Sequence, residues 1–383
     1  MTSSDQATAA ARVLVCDDSV VIRAALARLL EANPGVRVVA RAANGQQAIE
    51  AVRRTPIDVV LLDVEMPVMD GLSALPLLLE AAPGLRVIMA STATTRGAEA
   101  TLRALQLGAA DYIPKPSALV GLGGEAFRRE LLAKVTGLAH APRQPTAAQT
   151  VGGLRPAGLE RPELLAIGCS TGGPQALFAL IPELAGALPV PVVVTQHMPP
   201  TFTATLAAHI GRLSGVTCAE AADGERLLAG QVYVAPGGRH LTIEAFPDGL
   251  RARLLDTPPV NYCRPAVDPM LKSAATATCG RMLVAILTGM GQDGLIGTRD
   301  VIEAGGTALA QDEATSVVWG MPGAVAQAGL CHAVLPLPQI APRLLELLGV
   351  TPPSAIATAP SGAAADRPAS SGRSGALSSV DTQ

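Results

Sequence analysis

The sequence lacks the features that mark several common classes of protein. No segment approaches the roughly 18 continuous apolar residues that a membrane-spanning helix needs. Residues 1–10 are small and polar, without the apolar core of a signal peptide. The formal net charge is only −3, whereas nucleic-acid-binding proteins usually carry a basic patch. We therefore expect a cytoplasmic protein that binds no nucleic acid and does not insert directly into a membrane.

Cysteine and lysine are both scarce. The six cysteines are scattered along the chain and form no CxxC pair, which is typical of reduced thiols in the cytoplasm. The chain has only three lysines, Lys115, Lys134 and Lys272. Because lysine is so rare here, a lysine that falls among acidic residues is a strong candidate for a functional role.

Strand and helix patterns alternate along most of the chain, which at 383 residues is long enough for two domains. The alternation covers residues 11–130, with five short strands, and returns over residues 161–349. It predicts two doubly wound α/β domains with mainly parallel sheets. Residues 131–160 are expected to form a terminal helix and an interdomain linker. Residues 350–383 are rich in Ser, Ala, Pro and Gly, which predicts a disordered tail.

Polar side chains follow the predicted strands of the N-terminal half. Asp17 and Asp18 follow the first strand, Asp63 the third, Ser91 the fourth and Lys115 the fifth. The carboxyl ends of parallel strands meet at one edge of a sheet, where ligands bind. Three neighbouring carboxylates repel one another, and a lysine together with a hard cation such as Mg2+ relieves that repulsion. The set predicts a magnesium site at which one carboxylate accepts a phosphoryl group, although each aspartate alone could be a turn residue or helix cap.

Three motifs of this half resemble those of the response-regulator receiver family: DDS at residues 17–19, DVEMPVMDG at residues 63–71 and KP at residues 115–116. The resemblance covers residues 11 to about 130 and implies a flavodoxin-like fold with a five-stranded parallel sheet. It also implies that Asp63 is the phospho-acceptor and that Mg2+ binds to Asp17, Asp18 and Asp63.

The same resemblance assigns roles to three further side chains. It implies that Ser91 is the switch hydroxyl and that Lys115 contacts the phosphoryl group. Tyr112 lies where the family has its switch aromatic, although a partly buried strand tyrosine fits the sequence equally well.

A serine among glycines follows the first predicted strand of the C-terminal half. The stretch AIGCSTGGPQAL, residues 166–177, fits the pattern G-x-S-x-G, in which a sharp turn between strand and helix exposes the serine, here Ser170. Pro174 suits the first turn of that helix. The free N–H groups of such a turn can bind either a phosphate or the oxyanion of a tetrahedral intermediate. The glycine pattern alone does not separate these two anions.

Two further strand ends carry residues that would complete a catalytic triad with Ser170. His197 follows the apolar run VPVVVT, and Asp293 lies in the glycine-rich loop after MLVAILTG. A serine, a histidine and an aspartate at one sheet edge can perform nucleophilic acyl transfer. Backbone N–H groups near Ser170 and Met290 could form the oxyanion hole. The chain order Ser, His, Asp excludes the α/β-hydrolases, in which the order is Ser, Asp, His.

Other residues are candidates for the same roles. Cys169 adjoins Ser170 and is an alternative nucleophile, provided that it lies next to a base. His209, on a predicted helix, and His240, in the stretch PGGRHL, are alternative bases.

A second set of motifs resembles the catalytic domain of the chemotaxis protein-glutamate methylesterases: GCSTGGP, QHMPP, YVAPG with GRH, RPAVD, LTGMGQDG and AQDEATSVVWGMP. The resemblance extends over about residues 163–347. It implies that Ser170 is the nucleophile, His197 the base and Asp293 the carboxylate that orients the base. It also places Thr171 and Met290 in the site.

The sequence departs from that family at two places. Cys169 replaces an alanine that is common there, and Tyr262-Cys263 replaces the Gly-His often found before Arg264-Pro265. Neither departure falls on the triad, but the second could change contacts in the substrate groove.

Together the two resemblances imply an esterase that phosphorylation activates. The expected substrates are methyl glutamate esters and particular glutamines of methyl-accepting chemotaxis receptors, and the expected phosphodonor is a chemotaxis histidine kinase. Mg2+ is expected in the receiver domain and no cofactor in the catalytic domain. We also expect the unphosphorylated receiver to cover the face around Ser170. The alternatives are a non-catalytic, phosphorylation-dependent binding module and a nucleotide or phosphate binder that uses the Gly172-Gly173 turn.

Overall fold

The computed structural model describes residues 10–92, 94–115, 124–141, 153–158 and 160–350. Most of the linker expected within residues 131–160, and all but the first residue of the tail expected at residues 350–383, lie outside these ranges. Among the described residues, no helix combines the length and the apolar character that crossing a membrane requires.

The N-terminal sheet has five parallel strands in the order β2-β1-β3-β4-β5. Its strands are β1 (Ala11–Cys16), β2 (Val36–Ala42), β3 (Val59–Asp63), β4 (Arg86–Thr92) and β5 (Asp111–Lys115). Its helices are α1 (Val20–Glu31), α2 (Gly45–Arg54), α3 (Gly71–Ala81), α4 (Thr95–Gln106) and α5 (Glu125–His140). The flavodoxin-like, five-stranded architecture expected from the sequence is thereby confirmed.

Local sequence explains where these elements begin. Every residue of β3 is buried, as its continuous apolar run predicts for a central parallel strand. Four of the helices start at a polar N-cap whose side chain accepts a hydrogen bond from a backbone N–H of the first turn: Ser19, Asn44, Asp70 and Thr94. These caps fix the loops that follow the strands, so that the loop side chains have defined positions at the sheet edge.

The C-terminal sheet has seven parallel strands in the order β14-β13-β12-β6-β7-β9-β8. They are β6 (Leu164–Cys169), β7 (Val192–Gln196), β8 (Cys218–Glu220), β9 (Val232–Val234), β12 (Met282–Ile286), β13 (Thr307–Gln311) and β14 (Ala333–Leu335). An antiparallel hairpin, β10 (His240–Phe246) with β11 (Gly249–Leu255), stands apart from the sheet. The mainly parallel α/β fold expected for this half is confirmed.

Six helices accompany the seven-stranded sheet: α6 (Gly173–Leu184), α7 (Pro200–Ser214), α8 (Val267–Thr278), α9 (Leu295–Glu303), α10 (Met321–Gln327) and α11 (Leu337–Leu347). Strand β6 lies between β12 and β7, and all of its residues are buried. The loops after these three adjacent strands therefore emerge together at one edge of the sheet. Such an edge is where open α/β sheets bind ligands.

The two sheets belong to one continuous body of packed residues. Tyr112 of β5 stacks on Phe202 of α7, with ring centroids 4.6 Å apart and planes inclined by 19°. Both rings are almost completely buried. Val317 and Val318 also pack against the buried cluster that contains Leu131 of α5. The apolar core thus runs from the N-terminal sheet into the C-terminal one.

Candidate active site and phosphorylation site

An acidic cluster occupies the carboxyl edge of the N-terminal sheet. Carboxylate oxygens of Asp17, Asp18 and Asp63 all lie within 4.8 Å of one another. The Nζ atom of Lys115 lies 2.6 Å from Oδ2 of Asp17 and 2.7 Å from Oδ1 of Asp63. The structure therefore brings together the three carboxylates and the lysine that the sequence placed at strand ends.

Electrostatics make this cluster receptive to a cation. Burial raises the pKa of Asp63, although the neighbouring Lys115 lowers it in part. Burial alone would lower the pKa of Lys115, but Asp63 and Asp17 raise it above its ordinary value. Asp17 and Asp63 are buried while Asp18 is exposed, so the cluster opens to solvent on one side. Three carboxylates with an open face are a donor set that fits Mg2+.

Ser91 and Tyr112 lie on the two strands beside this cluster. The Oγ atom of Ser91 donates a hydrogen bond of 2.9 Å to the carbonyl of Gly97 in α4. Tyr112 points the other way, into the contact with Phe202. Its placement agrees with a buried strand tyrosine, and it puts the expected switch aromatic directly against the C-terminal half.

Ser170 stands on a tight turn between β6 and α6. Gly172 adopts a left-handed conformation with φ of +77°, which favours glycine. A Cβ atom at Gly173 would overlap Oε1 of Gln196. The Nε2 atom of Gln196 donates a hydrogen bond of 3.0 Å to the carbonyl of Ser170. Gly172 is therefore needed for its backbone conformation and Gly173 because the Gln196 side chain approaches the turn closely. The half-buried serine is held through its backbone.

His197 follows β7 and is paired with Asp293, which follows β12. The Nε2 atom of His197 and Oδ2 of Asp293 are 2.7 Å apart. Three backbone N–H groups also donate to this carboxylate, those of Val267 at 2.6 Å, Asp268 at 3.2 Å and Gly294 at 3.0 Å. The first two belong to the first turn of α8, so Asp293 also caps that helix.

The pair has strongly altered protonation equilibria. Burial alone would raise the pKa of Asp293, but the hydrogen bond and charge of His197, with the backbone donors, lower it to about 2. Burial alone would lower the pKa of His197, but hydrogen bonds with Asp293 and Cys263 raise it to about 10. Both shifts favour the charged forms, an imidazolium at His197 and a carboxylate at Asp293.

The structure does not join Ser170 to His197. Among the described residues, the Oγ atom of Ser170 has no hydrogen-bond partner, and Nδ1 of His197 lies 3.4 Å from Sγ of Cys263. The three expected triad residues follow three adjacent strands. Of the three, only His197 and Asp293 are joined by a side-chain hydrogen bond.

The competing candidates have other surroundings. Cys169 is fully buried at the end of β6, and burial raises the pKa of its thiol far above the ordinary value. His240 is buried between two backbone groups: its Nδ1 lies 3.2 Å from the N–H of Ala266 and its Nε2 lies 3.1 Å from the carbonyl of Pro258. His209 contacts Arg212 and the ring of Phe178 on the helices. These contacts favour structural roles for all three residues.

Two family models match the chain. The model for the response regulator receiver domain matches residues 13–123, and the model for CheB methylesterase matches residues 165–344. A protein-glutamate methylesterase/protein-glutamine glutaminase of Paramagnetospirillum magneticum is 50% identical over 373 residues, which is 90% of this chain and 98% of that protein. The protein of the same name from Azospirillum brasilense is 50% identical over 87% of this chain and 91% of that protein.

This chain belongs to the CheB methylesterase family. Among solved structures, the CheB methylesterase catalytic domain of Thermotoga maritima is 43% identical and covers 49% of this chain and 98% of that one, with a TM-score of 0.48. The response regulator domain of Thermotoga maritima CheB is 38% identical and covers 33% of this chain and 94% of that one, with a TM-score of 0.30.

In this methylesterase chain the receiver lies directly against the serine turn. Thr171, the neighbour of Ser170, donates its hydroxyl to Oδ2 of Asp111 at 2.7 Å. The same carboxylate oxygen is 3.2 Å from Nζ of Lys134. These three residues come from the serine turn, β5 and α5, so a buried polar link joins the receiver to the residue after the expected nucleophile.

Two further contacts join the receiver to residues around the Ser170 turn. The Nε2 atom of Gln175, on α6, donates to the carbonyl of Ala109, just before β5. A Cβ atom at Gly137 of α5 would overlap the end of the Met290 side chain. Met290 thus touches the receiver helix, as Thr171 touches β5. Both residues expected to line the site are receiver contacts in this structure.

Sequence reasoning missed several residues that hold the site. Asn261 donates from Nδ2 to Oδ1 of Asp293 at 3.0 Å and to Oδ2 of Asp268 at 3.1 Å. Asp268 in turn accepts from the N–H of Gly297 at 2.8 Å, and burial raises its pKa to about 6. Asp268 lies inside the motif RPAVD, which could have marked it as a candidate site residue. No pattern in the sequence connects Asn261 with Asp293.

We expect Asp293→Asn to lower the pKa of His197 by about 1–3 pH units, because the substitution removes the charge that stabilises the imidazolium. An NMR titration of the His197 ring in the full chain measures this pKa. Asp256→Asn is a matched control, since Asp256 is exposed and pairs with Arg239. An unchanged His197 titration in Asp293→Asn would mean that the pair does not control the imidazole.

Proposed function

We propose that this protein hydrolyses methyl esters of receptor glutamates through Ser170, His197 and Asp293, and that it deamidates particular receptor glutamines by the same route. The observation that carries the proposal is the His197–Asp293 pair, which lies at the strand ends on either side of the Ser170 turn. The curated relatives of this chain are named protein-glutamate methylesterase/protein-glutamine glutaminase, which supports both activities.

Each residue of the proposed triad has a defined step. The Oγ atom of Ser170 attacks the ester carbonyl carbon while its proton passes to Nδ1 of His197, because Asp293 occupies Nε2. The tetrahedral intermediate collapses, and methanol leaves with the proton from His197. Water then attacks the acyl-enzyme with the same base, which releases glutamate and restores Ser170. With a glutamine side chain the leaving group is ammonia.

Backbone donors next to the triad would stabilise the oxyanion. Among the described residues, the backbone N–H groups of Thr171 and Met290 donate to no other group, and both lie in loops beside Ser170. Donors that are already fixed by a folded loop stabilise developing negative charge without reorganisation. We assign Thr171 and Met290 to this role.

Phosphorylation of Asp63 is the proposed switch. A histidine kinase of the chemotaxis pathway would supply the phosphoryl group. Asp17, Asp18 and Asp63 would hold Mg2+, which supplies positive charge to the phosphoryl oxygens when bound. Lys115 already touches Asp63 and would contact the same oxygens, and Ser91 would turn from Gly97 towards them.

The switch acts on the site through the receiver contacts. In the present arrangement Asp111, Ala109 and Gly137 cover Thr171, Gln175 and Met290. While these contacts persist, we expect the receiver to obstruct the approach of a receptor helix to Ser170. The raised pKa of His197 also favours the imidazolium, which cannot accept the serine proton. The structure therefore corresponds to the inactive, unphosphorylated form in this proposal.

Methanol release from methyl-labelled receptor membranes tests the proposed activity. We expect the full chain to release methanol faster with a small phosphodonor and Mg2+ than without them. Ser170→Ala should lower that rate at least about 1,000-fold, because the nucleophile is absent. Ser214→Ala, at the end of α7, is the control for a serine substitution elsewhere in the domain. Release that survives Ser170→Ala would contradict the assignment of the nucleophile.

The interface proposal predicts an effect of Gln175→Ala. This substitution removes one hydrogen bond to the receiver, and a hydrogen bond contributes about 0.5–1.5 kcal/mol, so the rate without phosphodonor should rise about 2- to 10-fold. Gln339→Ala, at an exposed position of α11, should leave that rate unchanged. Equal rates in Gln175→Ala and the unaltered protein would argue against occlusion by this surface.

A further inference from the structure

The ring of His197 is held at both nitrogens in this structure. Nε2 bonds to Asp293 at 2.7 Å, which leaves Nδ1 as the atom that can take a proton from Ser170. Nδ1, however, lies 3.4 Å from the thiol sulfur of Cys263, within the range of a hydrogen bond to sulfur. The base therefore has a partner other than the serine.

The position of that thiol is fixed by a tight loop. The N–H of Cys263 donates to the carbonyl of Val260 at 2.8 Å, and the N–H of Val260 donates to the carbonyl of Cys263 at 3.1 Å. Between them, Asn261 and Tyr262 both adopt left-handed backbone conformations, with φ of +51° and +64°. Non-glycine residues adopt this conformation rarely, and two in succession need support from the surrounding structure.

Side chains of the same loop supply that support. Asn261 donates to Asp293 and Asp268, so the loop is tied to the carboxylate that also holds His197. The ring of Tyr262 lies under the guanidinium of Arg129 in receiver helix α5, 4.0 Å from ring centroid to guanidinium carbon. Three consecutive residues thus contact three different parts of the protein. Asn261 contacts Asp293, Tyr262 contacts Arg129 of the receiver, and Cys263 contacts His197.

We propose that Cys263 is a positioning residue that occupies Nδ1 of His197 while the receiver is docked, and that Ser170 gains its base only when this contact breaks. The inference rests on the proposed esterase function. It assigns a role to the Tyr262-Cys263 pair, at which this sequence departs from the Gly-His often found before Arg264-Pro265. A movement of α5 would shift Arg129 and, through its contact with Tyr262, would displace Cys263 from His197.

The charges around His197 agree with this role. Within the described structure the titratable groups that contact its ring are Asp293 and Cys263, and Asp268 lies one step further behind Asn261. Both direct contacts raise the pKa of His197, although burial opposes them. Loss of the Cys263 contact lowers this pKa, and the neutral imidazole that acts as a base is then present at lower pH.

Two substitutions of Cys263 in the full chain test the proposal. Cys263→Ala frees Nδ1, so methanol release without phosphodonor should rise about 2- to 10-fold, as expected for the loss of one hydrogen bond. The acidic limb of its pH profile should move to lower pH. Cys263→Ser keeps a group that can hydrogen-bond to Nδ1 at the same place, so its rate should lie closer to that of the unaltered protein than to that of Cys263→Ala. Cys279→Ala, which removes an exposed thiol at the end of α8, is the matched control.

NMR of the His197 ring gives a readout that does not depend on activity. The Nδ1 signal and the pKa of His197 should change in Cys263→Ala and not in Cys279→Ala, while the fluorescence of Trp319 shows that each variant is folded. An unchanged His197 signal, or a kcat that falls in Cys263→Ala, would overturn the inference. If the unaltered protein released no methanol under any condition, the proposed function would fail, whereas the NMR comparison would still decide whether Cys263 holds the base.

Discussion

The buried carboxylate of Asp293 is the constraint on which the proposed active site depends. It is 2% exposed and accepts five hydrogen bonds, from His197, Asn261 and three backbone N–H groups. A charge this deeply buried is tolerable only when its oxygens are saturated with donors. The loops after β7 and β12, and the loop that leads into α8, must therefore converge on it. Their convergence places His197 beside the serine turn. The need to solvate one buried carboxylate thus fixes the positions of all three loops.

The contact between receiver and catalytic domain combines apolar and polar components. The stack of Tyr112 on Phe202 stabilises the closed arrangement through burial of two rings. The link between Asp111, Thr171 and Lys134 is polar, and each of its groups can bond water once the surfaces separate. A contact of this composition can hold the two domains together in the unphosphorylated protein and still separate with a moderate free-energy change. Because Thr171 adjoins Ser170, opening of the link in the proposed switch would also free the turn that carries the proposed nucleophile.

Strands that are continuously apolar could be predicted from the sequence, and so could the candidate site residues that follow them. Strands β3, β6 and β12 are buried along their whole length, and Asp63, Ser170 and Asp293 follow from the topology of parallel sheets. The sequence pattern did not single out β8, β13 and β14: β8 and β14 have only three residues each, all partly exposed, and β13 (TALAQ) is buried but only weakly apolar. The roles of Asn261 and Asp111 depend on contacts with residues 32 and 60 positions away. No local pattern encodes such contacts, and the same is true of the thiol of Cys263 on His197.

The central claim is that Ser170 becomes a reactive nucleophile when the receiver is phosphorylated. Reaction of the full chain with a fluorophosphonate, followed by mass spectrometry of the modified peptide, tests it most directly, because this reagent marks a serine activated by a neighbouring base. The account predicts modification at Ser170, faster in the presence of a phosphodonor and Mg2+ than in their absence. Modification that is absent from Ser170, or that proceeds at the same rate under both conditions, would contradict it.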